Sequence, residues 1–182
     1  MKKNVTVYCS SRHVPEVYLK AAYDIGVAIA SRGLDVVYGG GTTGCMGELA
    51  RGALDSGGGV IAVRPKALGG QMPQSVKLKE IWCASLAERK AKMEELSDIF
   101  VVLPGGIGTL DELSQIMALQ HLHMKACSCF LLNLCGFYDP ILKQFEDWIK
   151  LGFIDSKDLK RELHIIKNIA EFERRLDSIA MD

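Results

Sequence analysis

The sequence lacks an excess of charge of either sign, because its 182 residues include 22 lysines and arginines and 22 aspartates and glutamates. A chain without a net field has no general attraction for nucleic acid or an anionic membrane, although a local basic pocket is compatible with this balance. It also lacks an apolar run long enough to cross a bilayer, and the short run after Lys2 and Lys3 contains Thr6, unlike a signal peptide. We therefore expect a cytoplasmic protein with no nucleic-acid or membrane partner.

Paired cysteines with the spacing of zinc ligands are also absent. The six cysteines stand mostly in apolar surroundings, and no histidine completes a ligand set with the three that are close together in the chain. We expect reduced core residues and no bound metal. The cysteines are Cys9, Cys45, Cys83, Cys127, Cys129 and Cys135.

The sequence has enough apolar residues, 48%, to build a substantial core in a single domain over residues 1–182. Short β-rich runs alternate with segments of helical periodicity. This alternation predicts a Rossmann-like α/β fold, a doubly wound parallel sheet of about seven strands with helices on both faces. The predicted strands are 5–10, 34–38, 60–63, 78–83, 99–103, 128–134 and 164–166; the predicted helices are 15–32, 47–56, 85–97, 109–124, 138–150 and 170–179, with a connector at 158–163.

The most informative stretch is IFVVLPGGIGTLDEL, residues 99–113, which is typical of a strand, a loop and the start of a helix. Gly105, Gly106 and Gly108 allow a tight turn and a close approach to a ligand, and Thr109 is predicted to cap the helix. The first amides of that helix would point into the loop, which suits an anion, most often phosphate.

Glu112 stands at the mouth of this predicted anion site. It fits the last position of a capping box that starts at Thr109, in which the glutamate only reaches back to the cap amide. It also fits a catalytic carboxylate. The residue pattern leaves both interpretations open.

A second glycine loop follows the second predicted strand, where Gly39, Gly41 and Gly44 have the spacing GxGxxG. A dinucleotide site would carry an acidic residue near the end of the next strand, but that strand ends in Arg64 and Pro65. The loop also lacks the lysine followed by serine or threonine that is typical of a loop that binds a nucleoside triphosphate. The loop is therefore predicted to bind phosphate or ribose, and a tight structural turn is the alternative.

Two more polar features accompany these loops. The turn that begins at Ser10 follows the first strand, on the predicted ligand side of the sheet. Arg89 falls on the apolar face that Leu86 and Met93 mark, so it requires an anion, either Glu112 or a bound phosphate, unless it reaches solvent at the edge of the face. His121 and His123 are interpreted as surface groups near a helix end.

Together these motifs resemble the Lonely Guy family of cytokinin riboside 5'-monophosphate phosphoribohydrolases, whose members were often labelled lysine decarboxylases. The resemblance covers residues 5–154. It rests on YGGGTTGCMG (38–47), ERKAKM (88–93), PGGIGTLDE (104–112) and LLNLCGFYDPIL (131–142).

This resemblance implies hydrolysis of the N-glycosidic bond of AMP or an N6-modified AMP, with Arg89 and Glu112 as the catalytic residues. It also implies a homodimer with pockets at or near the subunit interface. The substrate-binding residues we predict are Ser10, Gly39, Gly40, Gly41, Gly44, Gln71, Lys90, Gly106, Ile107, Gly108, Thr109, Leu110 and Asp111.

The chain departs from the family pattern around the base. Leu86-Ala87 stands where family members commonly have Met-His, Ala118 stands where they often have threonine, and Gln71 stands where they often have an acidic residue. No cofactor is expected. Pyridoxal phosphate requires a lysine that forms a Schiff base with it and a residue that pairs with its ring nitrogen, and the sequence marks neither. A carrier of a nucleotide or of molybdenum cofactor is the alternative, which requires the phosphate loop but not Glu112.

Overall fold

The computed structural model describes residues 4–66 and 77–180. Its elements alternate as expected. The strands are β1 (Asn4–Tyr8), β2 (Asp35–Tyr38), β3 (Val60–Pro65), β4 (Leu78–Cys83), β5 (Ile99–Val102), β6 (Ser128–Leu132) and β7 (His164–Ile166). The helices are α1 (Glu16–Ser31), α2 (Gly44–Asp55), α3 (Leu86–Leu96), α4 (Ile107–His121), α5 (Asp139–Leu151), α6 (Ser156–Glu162) and α7 (Ile169–Ala180), with a 3₁₀ turn at Leu134–Gly136.

The predicted doubly wound sheet is confirmed: seven parallel strands lie in the order β4-β3-β2-β1-β5-β6-β7. Val5 of β1 pairs with Val36 of β2 on one side and with Ile99 of β5 on the other. The chain therefore winds outward from β1 in one direction and from β5 in the other. Ligands of such sheets bind beyond the carboxyl ends of the strands at this switch point.

Two apolar cores cover the two faces of the sheet, because alternate strand residues point to opposite sides. Val7 and Val101 belong to the core that α1, α2 and α7 close. Tyr8 and Phe100 belong to the other core, which includes Met93 of α3. The buried strands are apolar on both alternations, as expected for a parallel sheet between two helical layers.

Several local expectations are wrong, among them the start of the helix predicted over 47–56, which begins at Gly44. The predicted connector 158–163 belongs largely to α6, which starts at Ser156 because the Asp155 side chain caps it, accepting from the Lys157 amide at 2.6 Å. Leu86 does not join the apolar face of α3 but is 62% exposed. The helix predicted from residue 109 begins at Ile107. In the described ranges, no helix combines the length and apolar character needed to span a membrane.

Candidate active site

A cleft of about 660 Å³ lies beyond the carboxyl ends of β1, β2, β3 and β5. Its size is within the usual range for small-molecule sites. The lining residues are Cys9, Ser10, Ser11, Arg12, Gly39, Gly40, Gly41, Thr42, Thr43, Met46, Arg64, Pro65, Arg89, Gly106, Ile107, Gly108, Thr109 and Glu112.

The chemistry of this cleft centres on an ion pair between α3 and α4. Nη1 of Arg89 donates to Oε1 of Glu112 at 2.9 Å, and the two side chains are only 11% and 6% exposed. Nε of Arg89 donates to the Val63 carbonyl at 3.1 Å, which orients the guanidinium. The partner that the inward-facing Arg89 required is therefore Glu112.

Two opposing influences act on the Glu112 carboxyl. Burial raises its pKa, and the Arg89 guanidinium lowers it through charge and a hydrogen bond. Burial is the larger influence, so the pKa of Glu112 lies above its ordinary value. A raised carboxyl pKa in a cleft is a physical mark of a functional group.

The capping-box interpretation of Glu112 is wrong. Gly106 is the N-cap of α4, with an extended backbone, and Thr109 lies inside the first turn. The amide of Leu110 makes the first intrahelical hydrogen bond, to the Gly106 carbonyl at 3.0 Å. The amides that come before it have no carbonyl acceptor within the helix, and their residues Ile107, Gly108 and Thr109 line the cleft. Such an arrangement can bind an anion.

Tyr138 anchors the proline and glycine loop, residues 104–106, that leads into α4. Its hydroxyl donates to the Leu103 carbonyl at 2.7 Å, immediately before the proline and glycine loop. Burial raises the pKa of Tyr138, while a backbone hydrogen bond at Gly105 lowers it. A Cβ on Gly105 would come 2.6 Å from Cβ of Thr109, so the loop packs tightly against the first turn of α4.

The second glycine loop approaches Arg89 closely. A Cβ on Gly39 would lie 3.1 Å from Cζ of Arg89 and in contact with its Nη2. Gly44, with φ +59°, packs instead against the backbone of Ser11 and Arg12 at the start of α2. Gly39 thus lets the loop backbone approach Arg89, and Gly44 lets the start of α2 approach the backbone of Ser11 and Arg12.

Most of the predicted binding residues come together in the cleft. Ser10, Gly39, Gly40, Gly41, Gly106, Ile107, Gly108 and Thr109 line it. Gly44, Lys90, Leu110 and Asp111 do not line the cleft as the described residues form it, and Gln71 lies outside the described residues.

Lys90 and Asp111 form an ion pair with each other at 2.8 Å. Lys90 is 18% exposed and Asp111 is 59% exposed. The lysine therefore neutralises a neighbouring carboxylate on α4, and its predicted place in the substrate pocket is not observed.

Several lining residues were missed by sequence reasoning, above all Arg64. It follows directly on the buried run of β3, and a charged residue at the carboxyl end of such a strand is the signal that could have identified it. Met46 and Thr43 belong to the glycine-rich segment but carry no separate signal. Cys9 was assigned only to the core, where it is 2% exposed at the base of the cleft.

The thiols of Cys9, Cys45 and Cys127 show no sign of nucleophilic activation. Burial raises the pKa of the Cys45 and Cys127 thiols to about 11, and that of Cys9 rises well above its ordinary value. Thiolate, not thiol, is the nucleophile and metal ligand. Among residues 4–66 and 77–180, no group of three histidine, cysteine, aspartate or glutamate residues is placed to hold a metal ion.

Comparisons with known proteins match these features. A family model described as "Possible lysine decarboxylase" matches residues 46–176. The probable cytokinin riboside 5'-monophosphate phosphoribohydrolase LOGL1 of Oryza sativa subsp. japonica is 40% identical, over 84% of this chain and 69% of that protein. The cytokinin riboside 5'-monophosphate phosphoribohydrolase of Rhodococcoides fascians is 39% identical, over 84% of this chain and 78% of that protein.

Solved structures share the fold over the whole chain. The molybdenum cofactor carrier protein of Chlamydomonas reinhardtii superposes with a TM-score of 0.73 at 22% identity, covering 100% of both chains. The molybdenum cofactor binding protein of Rippkaea orientalis gives a TM-score of 0.73 at 20% identity, covering 99% of this chain and 98% of that chain. At this identity the likeness describes architecture alone.

Proposed function

This chain belongs to the Lonely Guy family, the family of the possible lysine decarboxylase model, and we propose that it is a nucleoside 5'-monophosphate phosphoribohydrolase. It hydrolyses the N-glycosidic bond of AMP or an N6-modified, cytokinin-type AMP to a free base and ribose 5-phosphate. The observation that carries this proposal is the buried Arg89–Glu112 pair beside the amino end of α4.

The roles follow from the charge that develops in the reaction. As the bond from C1' to the base nitrogen breaks, its electron pair leaves with the base and the ribose acquires oxocarbenium character. The ionised Glu112 carboxylate stabilises that positive charge and orients the water that adds to C1'. The water loses one proton as it adds, which balances the proton that the departing base takes up. Arg89 holds Glu112 ionised and in place, because a guanidinium at 2.9 Å favours the charged form.

The substrate phosphate binds at the amino end of α4. The amides of Ile107, Gly108 and Thr109 precede the first intrahelical hydrogen bond, and the helix dipole favours an anion there. Glu112 lies on the same helix, little more than one turn further along. A single helix therefore presents the phosphate site and the carboxylate at a fixed separation.

A non-catalytic carrier is the competing hypothesis, since the carriers of molybdenum cofactor share the fold. A carrier needs the anion site but has no use for a buried carboxylate at its mouth. Removing Glu112 from water costs free energy that pairing with Arg89 only partly offsets. The retention of this costly pair in the cleft supports hydrolysis.

The test is release of free base from AMP and from an N6-prenylated AMP. We expect both to react, and we expect Glu112→Gln to lower kcat by about 100- to 1,000-fold, the usual effect of removing such a group. Glu95→Gln is the matched control, because Glu95 is an exposed carboxylate that pairs with Lys92 on α3. Tight nucleotide binding without release of base would favour the carrier.

We also propose that the protein acts as a homodimer in the cytoplasm. Reduced cysteines suit that compartment, and Cys9, Cys45, Cys83 and Cys129 are buried free thiols. The dimer rests on the family resemblance and on exposed apolar side chains, among them Leu86 and the cleft residue Ile107.

A further inference from the structure

A buried arginine that the proposed mechanism does not use lies at the β3 side of the cleft. Arg64 is 4% exposed, and its Nη1 donates to Glu80 at 3.0 Å. Its guanidinium also lies over the Trp82 ring, with Cζ 4.8 Å from the ring centroid. Both partners belong to β4, where Trp82 is the register partner of Arg64. The arginine therefore ties the edge strand of the sheet to the cleft.

The aliphatic stem of Arg64 supports the second glycine loop. Gly40 has φ +76°, and a Cβ at that position would come 2.8 Å from Cδ of Arg64 and in contact with its Cγ. The loop backbone and the arginine stem therefore touch without room for a side chain between them. Since interiors are close-packed, a shorter side chain at position 64 would leave the loop unsupported.

Two further contacts connect this arrangement to Arg89. The carbonyl of Val63, the residue before Arg64, accepts the hydrogen bond from Nε of Arg89. On the other side, the Arg89 guanidinium packs directly against Gly39, the neighbour of Gly40. Arg89 is thus held between the strand end that contains Arg64 and the loop that Arg64 supports.

We propose that Arg64 is a positioning residue for Arg89: it fixes the end of β3 and the Gly39-Gly40 turn, and so keeps Arg89 within hydrogen-bond distance of Glu112. A long cationic side chain suits this task, because its stem packs against the glycine loop while its charged end pairs with a carboxylate. The kinetic role rests on the proposed function, whereas the effect of Arg64 on the Arg89–Glu112 pair can be measured before any nucleotide binds.

A direct contact between Arg64 and the substrate predicts a different kinetic result. A guanidinium that binds the nucleotide equally before and during the reaction contributes to affinity, so its loss raises KM. A guanidinium that positions Arg89 acts on the chemical step, so its loss lowers kcat while KM stays within about twofold.

The kinetic test compares Arg64→Ala with Arg64→Lys. We expect Arg64→Ala to lower kcat by about 10- to 100-fold, the cost of a small misplacement of a catalytic group. Arg64→Lys keeps the stem and the charge and recovers most of kcat. Lys79→Met, at an exposed residue near the start of β4, is the control, with kcat unchanged. Thermal unfolding of each variant verifies that the compared samples are folded.

A second measurement needs no turnover: NMR titration of the Glu112 carboxyl in the nucleotide-free chain. Because Arg89 lowers the pKa of Glu112, displacing it in Arg64→Ala should raise the titration midpoint, whereas Arg64→Lys should leave it unchanged. The charged and titratable groups around Glu112 are Arg89 and Lys90 on α3, Asp111 on α4, and Tyr8 and Cys9 at the end of β1.

The outcomes separate the two proposals. An unchanged Glu112 midpoint in Arg64→Ala, or a rise in KM without a fall in kcat, would overturn the positioning role. If the native chain releases no base, the proposed function fails, while the titration still decides whether Arg64 positions Arg89.

Discussion

Glu112 and Arg89 work as a unit because neither is well solvated alone. Burial disfavours the charged carboxylate, and the guanidinium beside it restores part of the lost stabilisation. Replacing either residue therefore leaves an unpaired buried group, so its effect exceeds the loss of one hydrogen bond. In the proposed reaction the pair is therefore better regarded as one element than as two additive contributions.

The raised pKa of Glu112 predicts an acid limit to activity. A carboxyl whose pKa is raised keeps its proton to higher pH, and only the ionised form stabilises an oxocarbenium ion. We therefore expect kcat to fall as pH drops through a midpoint above 4.5, the ordinary glutamate value. The measurement is kcat between about pH 4 and pH 8, where unperturbed carboxyls are ionised over most of the range.

Asp111 allows the direction of this pH dependence to be tested, because its negative charge raises the pKa of Glu112. Asp111→Asn should move the acid midpoint of kcat to lower pH. A native profile that stays flat below pH 4.5 would contradict the role given to Glu112.

At the scale of elements, α1 and α2 approach each other through glycines. A Cβ on Gly26 of α1 would lie 2.8 Å from the Ala53 amide nitrogen, and a Cβ on Gly52 of α2 would lie 3.2 Å from Cα of Tyr23. The two backbones therefore meet where neither helix has a side chain. Because α2 begins just after the second glycine loop, this contact also sets the position of one wall of the cleft.

We predict that Gly26→Ala destabilises the fold. Overpacking costs about 1–3 kcal/mol, which exceeds the gain of about 1 kcal/mol from the better helix propensity of alanine. The free energy of unfolding in urea measures the balance. Gly108→Ala in α4 is the matched control, since a Cβ there meets nothing within 4 Å and only the gain remains. Equal stability of the two variants would contradict the close approach of α1 and α2.

Helix ends show what the sequence could predict at this scale. Gly33, with φ +69°, lies just after α1 as expected of a C-terminal glycine. The start of α4 was missed because Thr109 has the chemistry of a cap, whereas Gly106 needs only an extended backbone to begin the helix. Local propensity cannot choose between two such candidates; in the structure Thr109 packs against Gly105 of the loop and does not cap the helix.

At the scale of the whole molecule, the alternation of strands and helices was enough to predict the sheet. Right-handed crossovers restrict how such units join but leave several strand orders open, so the order β4-β3-β2-β1-β5-β6-β7 comes from the structure alone. The contact between Arg89 and Glu112 was harder to predict, because it joins two helices that precede and follow β5 in the chain. Helical periodicity showed that Arg89 faces inward, but left both a phosphate and a carboxylate as its partner. No sequence pattern predicted that Arg64 supports Gly40, since the contact depends on how β2, β3 and β4 lie side by side in the sheet.

The proposed dimer gives the prediction at this largest scale. Leu86 in the first turn of α3 is 62% exposed, and Leu110 in α4 is 37% exposed. The Lys90–Asp111 ion pair joins α3 to α4, so the two leucines belong to adjacent helices. Exposed apolar side chains on adjacent elements are typical of an interface.

We expect a solution mass of twice 20.0 kDa by light scattering. The double variant Leu86→Glu and Leu110→Glu should give a monomer, because charges cannot be buried unpaired at an interface. Leu151→Glu is the control, since Leu151 is 71% exposed at the far end of α5 and should leave the dimer intact. A dimer lost only in Leu151→Glu would move the interface to α5, and its separation from the cleft would then argue that each subunit binds its substrate alone.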